Sequence, residues 1–259
     1  MDNAVTTIQQ RLQMRATLKT RQWWESYLKG AIGFRGTKMA DIRVVMHDWH
    51  NEAGAGWRPQ QLRNLAIELI RQDLTEDKLA GILLIQEILI PGGVIPWKTE
   101  LKRWAGLFDH GFIHDWNTCD WFCVRVLGPL AAAEGEECAR RIADWSRARN
   151  LWRRRAAGVG FVNLAPHGDD NFAGFTSMLL EVCEDTVRHA DRFAQTGTGW
   201  VLRELSHAEP ARVAGFVQAH LDMMSREAVR MSVAKLSDAD RNRLLVAHGA
   251  SPTTRRGRR

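Results

Sequence analysis

The sequence predicts an all-α protein whose helical hairpins stack into a right-handed α-solenoid. Three observations carry that expectation. Strand-type alternation of apolar and polar residues is absent along the 259 residues. Apolar residues recur instead at helical spacing, in segments of roughly 10–20 residues. The segments come in pairs joined by short links, the pattern of antiparallel hairpins that bury their apolar faces only against neighbouring hairpins.

Taken in order, residues 4–30 show Ile8, Leu12 and Met14, then Trp23, Trp24, Tyr27 and Leu28, a helical pattern running into Gly30. Gly33 and Gly36 mark a loop, residues 38–50 a short helix, and Asn51 to Pro59 a Gly-rich turn. Pro59 suits the first position of a helix reaching about Arg71. Thr75, followed by Glu76 and Asp77, starts another that stops at Pro91-Gly-Gly. Further helices are expected over about 97–109, 116–128, 134–148, 151–163, 169–190 and 193–206, with the last two starting near Pro210 and Ser237. These elements form one domain, 1–249, ahead of a disordered basic tail, 250–259.

Composition narrows the class. Hydrophobic residues make up 45% and charged residues 25%, ordinary for a globular chain of this length. Tryptophan usage is not ordinary: 11 Trp stand against 1 Tyr, enough to supply stacking or cation-binding faces beyond a core. The net charge of +6 lies wholly in residues 241–259, which hold six Arg and no acid, while residues 1–240 balance at 30 basic and 30 acidic. A binding surface on the body must therefore come from clustering. One run qualifies: Arg140, Arg141, Arg147, Arg149, Arg153, Arg154 and Arg155, opposed within it only by Asp144. The four cysteines, Cys119, Cys123, Cys138 and Cys183, form no CxxC pair and suit reduced thiols. No signal peptide is expected, and the most apolar window, Gly81 to Trp97, is interrupted by Gln86, Glu87 and Pro91, so no membrane span is expected either. A cytoplasmic protein is the expectation.

Three predicted helices begin with a Trp that has a charged partner about one turn on: Trp116 with Asp120, Trp152 with Arg155, and Trp200 with Arg203. Singly, each reads as a packed indole beside a surface charge. The Trp residues lie 36 and 48 positions apart, close to one helical-pair repeat, so regular stacking puts all three on one concave face. His110 with His114, and His47 with His50, have metal-like spacing but lack a third ligand, and no metal is expected. No Walker loop, dinucleotide fingerprint or nucleophile elbow is present.

Asp115-Trp-Asn-Thr-Cys-Asp120, Asn150-Leu-Trp-Arg-Arg-Arg-Ala-Ala157 and Gly199-Trp-Val-Leu-Arg-Glu-Leu205 resemble the HEAT-like-repeat DNA alkylation repair glycosylases of the AlkD type. Tyr27-Leu-Lys-Gly30, Glu76-Asp-Lys-Leu-Ala-Gly-Ile82 and Ser225-Arg-Glu-Ala228 add weaker matches, so the resemblance spans about residues 20–235. It implies a solenoid with a concave basic groove that hydrolyses the N-glycosidic bond of N3- or N7-alkylated purines in duplex DNA. The reaction proceeds without base flipping, as a monomer, without cofactor, on DNA in the nucleoid. It assigns Asp120 as the catalytic carboxylate and Trp116 and Trp200 as the aromatic pair flanking the lesion's sugar and phosphate. Arg155 becomes a DNA contact and Tyr27 a residue near the lesion. Arg153, Arg154, Arg203, Lys29 and Trp152 complete the expected DNA-binding set. Two positions depart from the pattern: Asn117 stands where the family has an acid, and Gly33-Phe34 lacks a proline.

The residues suit that chemistry. An alkylated purine is cationic and leaves without a general acid, so positive charge builds on the deoxyribose. One carboxylate stabilises that charge and orients a water. Two alternatives stay open: a non-catalytic solenoid that binds DNA or a protein through its groove, favoured by Asn117, and a glycosylase for bulky adducts.

Overall fold

The computed structural model describes residues 2–250; residues 251–259, nearly all of the expected basic tail, lie outside them. The described residues form fifteen α-helices and no strand, with a single isolated bridge between Gly33 and Leu74. The chain divides into two compact units, Met1–Val126 and Leu127–Arg259.

The first unit contains α1 (Asp2–Met14), α2 (Leu18–Tyr27), α3 (Met39–Trp49), α4 (Pro59–Ile70), α5 (Thr75–Leu84), α6 (Trp97–Asp109) and α7 (Trp116–Phe122). α3 and α5 each end in a π-helical turn, His50–Gly54 and Ile85–Leu89. α1 packs on α3, α3 on α5 and α5 on α7, while α4 folds back along α5. This packing of every second helix is how hairpin repeats bury an apolar face that one hairpin cannot bury alone. α5 lies at the centre, and all ten of its residues are buried.

The second unit contains α8 (Gly128–Glu134), α9 (Glu136–Ala143), α10 (Leu151–Val159), α11 (Phe175–Val187), α12 (Arg192–Leu205), α13 (Pro210–Ala219), α14 (Arg226–Ser232) and α15 (Asp238–Ala250). Here α10 packs on α12 and α12 on α14, with α9, α11, α13 and α15 beside that row. Gly199 permits the close α12–α14 contact: a Cβ there would stand 2.9 Å from the Ala228 carbonyl oxygen.

Several boundaries differ from the sequence expectation for identifiable reasons. The pattern over 4–30 splits into α1 and α2 because Thr17 turns extended and caps α2, its side chain accepting from the Thr20 amide. Ser225 likewise caps a separate α14 within the stretch after Pro210. α11 starts at Phe175, because Gly168 and Gly174 adopt positive φ and interrupt the run from 169. The helix expected to stop at 128 continues through the π-helical turn Cys123–Leu127 into α8, with Pro129 in its first turn. Among the described residues, no helix is long and apolar enough to cross a membrane.

Candidate functional site

The entrance to α7 is held from below. Asp115 adopts an extended conformation and caps the helix, accepting from the Thr118 amide at 2.9 Å. Lys78, buried in α5, donates to the Phe112 carbonyl at 2.8 Å and to the Ile70 carbonyl at 3.0 Å, tying the loop before α7 to the end of α4. Burial lowers the Lys78 pKa, against the opposing pull of Asp115, Asp73 and Asp77. α7 then places Trp116 and Asp120 one turn apart, both half-buried.

Trp116 sits in an aromatic chain that the sequence did not reveal. Its inner side packs with Trp24 on the buried cluster Leu28, Ile32 and Phe34. Tyr27 meets its ring edge-on at 5.5 Å between centroids. Tyr27 stacks on Trp23 at 5.2 Å and 11°, Trp23 meets Trp24 edge-on at 4.7 Å, and Trp24 stacks on Phe34 at 5.6 Å. Phe34 is fixed by a buried carboxylate: Glu76 accepts from the backbone amides of Arg35, Gly36 and Thr37 at 2.9, 2.7 and 3.0 Å. Arg35 pairs with Asp77 at 2.7 Å. The periodic pattern at 23–28 therefore marks a surface helix: α2 has no buried residue, and Trp23 and Tyr27 are 58% and 53% exposed. Lys29, also exposed, follows at a φ of 53°.

Asn117 is 6% exposed. An acid at this position would be a buried charge, so its replacement by Asn takes no charge from an exposed face and avoids a desolvation cost.

In the second unit, Asn150 caps α10 through the Trp152 and Arg153 amides. Trp152 is half-buried against Phe193, with centroids 4.9 Å apart. The three consecutive arginines then divide. Arg153 lies over the Trp145 ring. Arg154 points inward, donating to the carbonyls of Ala148 and Arg149 and pairing with Asp191 at 3.1 Å. Its side chain is 7% exposed, so the expected phosphate contact at Arg154 gives way to an internal one that closes the loop before α10. Arg155 is also buried and donates to the Phe193 carbonyl at 2.8 Å and the Thr196 hydroxyl at 3.3 Å. Gly197 makes room for it, since a Cβ there would lie 3.1 Å from Arg155 Nη1.

Trp200 is half-buried on α12. One turn on, Arg203 is bound to Glu204, which also accepts from Lys235 at 2.8 Å. Burial alone would raise the Glu204 pKa, but the bonds from Lys235 and Arg203 outweigh it and hold the carboxyl below its ordinary value. Arg203, Arg226 and Arg230 line an open groove of about 570 Å³ with Glu227, Met231 and Ala234.

The arginine run is less basic in the fold than in the sequence. Arg140 pairs with Glu136, Arg141 with Asp144 and Arg147 with Asp185. Asp185 and Asp191 come from outside the run, which is why the sequence count left it unopposed. Among the described residues, no group of three or more His, Cys, Asp or Glu is placed to hold a metal ion.

A family model described as DNA alkylation repair enzyme matches residues 8–236. A solved structure, a predicted DNA alkylation repair enzyme from Enterococcus faecalis, is similar in fold with a TM-score of 0.72. The two share 17% sequence identity over 88% of this chain and 99% of that one. No curated protein matches the sequence.

Proposed function

The chain belongs to the DNA alkylation repair enzyme family, and from that premise we propose that it is a DNA glycosylase acting on N3- or N7-alkylated purines in duplex DNA. The observation that carries this reading is the pairing on α7: an indole and a carboxylate one turn apart, at the end of an aromatic chain and on a helix start fixed by Asp115 and Lys78.

The cationic purine is its own leaving group. As its bond to C1′ lengthens, positive charge develops on the sugar. Asp120 stabilises that charge and orients the attacking water. Such a preorganised charge contributes roughly 3–4 kcal/mol, by analogy with removal of one transition-state hydrogen-bond donor. Trp116 adds a cation–π contact of about 0.5–2 kcal/mol, and Trp200 is assigned the same role toward the sugar and its phosphate. Tyr27 stands near the lesion, and Trp152 supports the DNA-binding surface through Phe193. Arg155, Arg203 and Lys29 contact phosphates; Arg154 is left out because its guanidinium is engaged internally. The glycosylase domain, 1–249, draws residues from both units, acts as a monomer and uses no cofactor.

The test is base release from duplex DNA carrying a single N7-methylguanine. The wild type releases the base, and Asp120→Asn slows release by roughly 100-fold or more. Background release from both proteins, with DNA binding intact, would leave only a binding scaffold.

A further inference from the structure

We propose that Trp23 and Tyr27 form a stacking platform for a nucleobase that has left the duplex stack, and that Trp23 is a specificity-determining residue. The inference deepens the DNA-acting reading above and rests on it.

Large aromatic side chains on a soluble protein are normally covered on at least one side by the core. α2 buries none of its residues, yet it carries Trp23, Trp24 and Tyr27. Trp24 is accounted for by its stack on Phe34 and its place on the Leu28–Ile32–Phe34 cluster. Trp23 is not: its contacts are to other rings of α2, and it is 58% exposed. Trp23 and Tyr27 lie four residues apart and nearly parallel, at 11°, so the helix already presents two rings in the orientation a third planar ring would extend.

The charges beside this platform favour a nucleotide. Lys19, Trp23 and Tyr27 fall at successive turns of one helical face, and Lys29 follows the helix. Both lysines are exposed and have no ion-pair partner among the described residues, whereas Arg21 is neutralised by Glu25 at 2.8 Å. Lys29 holds a φ of 53°, which glycine adopts freely and a side chain adopts only under strain. A flat π-surface flanked by two cations matches a base with its adjoining phosphates. Stacking of this kind tolerates any base, because every base offers a π-face. Tyr27 links the platform to Trp116, so a displaced base would rest beside the proposed reacting sugar.

The test compares binding of the full chain to two labelled duplexes of one sequence at fixed salt, one fully paired and one with a single bulged purine. The wild type prefers the bulged duplex. Trp23→Ala lowers affinity for it by roughly five- to a hundred-fold and changes paired-duplex affinity far less, while Trp23→Phe restores most of the preference. Equal loss on both duplexes, or no loss on either, overturns the proposal. So does a Trp23→Ala effect confined to self-association or to binding of anionic lipid vesicles. Base release is run in parallel. A wild type that releases no methylated purine but keeps the bulge preference sinks the glycosylase reading alone. Release unaffected by Trp23→Ala, with no bulge preference, sinks the platform alone.

Discussion

Helices α2 and α5 have ten residues each and belong to the same unit, yet they sit at opposite limits of burial. α5 buries every residue, including Glu76, Asp77 and Lys78; α2 buries none, despite its two Trp and one Tyr. Hydrophobicity alone would assign them the other way round. The charges on α5 are inside because each holds a neighbouring segment: Glu76 the loop under Trp24, Asp77 the side chain of Arg35, and Lys78 the approach to α7. The aromatics on α2 are outside because α2 lies over a small apolar cluster whose space is filled by Trp24 and Trp116. The interior helix thus positions the site, and the surface helix is left to meet a ligand.

The largest effect is expected at Glu76. Glu76→Ala removes the acceptor for three backbone amides, two of whose bonds are buried. The variant should lose about 3 kcal/mol or more, since bonds to a charged group contribute about 1.5–3 kcal/mol each and orphaned buried donors add a penalty. Denaturant unfolding measures this. A loss under about 1 kcal/mol would mean that the 33–37 loop is held by something else and that α5 is an ordinary core helix.

Lys78→Met comes next, at about 2–3 kcal/mol, because it strips the Ile70 and Phe112 carbonyls of their donor. The pH dependence sharpens it. Burial puts the folded-state pKa of Lys78 below its ordinary 10.5, so the unfolded chain binds more protons between the two values. The wild type should therefore gain stability relative to Lys78→Met as pH rises through the folded pKa toward 10.5. A gap that narrows over that window would reverse the assigned shift.

The second unit offers the same contrast with glycines. Gly197→Ala on the buried face of α12 presses on Arg155 and should cost about 1–2 kcal/mol. Gly215→Ala, within α13 and with open space around it, should stabilise by about 0.4–1 kcal/mol. Paired thermal melts decide, and a Gly197→Ala protein as stable as the wild type would show that α12 and α10 are loosely packed.

How much of this was legible in the sequence follows from the distance between partners. Helices with local signals are where the sequence places them: Pro59 opens α4, Thr75 and its acids open α5, and 97–109 matches α6. The Trp116–Asp120 spacing needs only one helix to be read. The roles of Glu76 and Lys78 need loops some 35–40 positions away, and no periodicity reports those. Arg154 looks like its neighbours in the sequence; only Asp191 and the loop carbonyls turn it inward. For α2, the 3.6-residue pattern announces a helix with an aromatic face but does not say whether another element covers that face.

The smallest effect is expected at that face, and it tests the contrast most directly. Trp23→Ala removes a large indole, a change that in a core costs about 3–5 kcal/mol. On α2 the ring is mostly in water, and its losses are limited to the Tyr27 and Trp24 ring contacts, while alanine raises helix propensity slightly. The expected cost is at most about 1 kcal/mol, the scale of aromatic pair energies. A loss above about 2 kcal/mol would mean that Trp23 is a packing residue, that α2 contributes to the fold much as α5 does, and that the ligand-facing role belongs elsewhere.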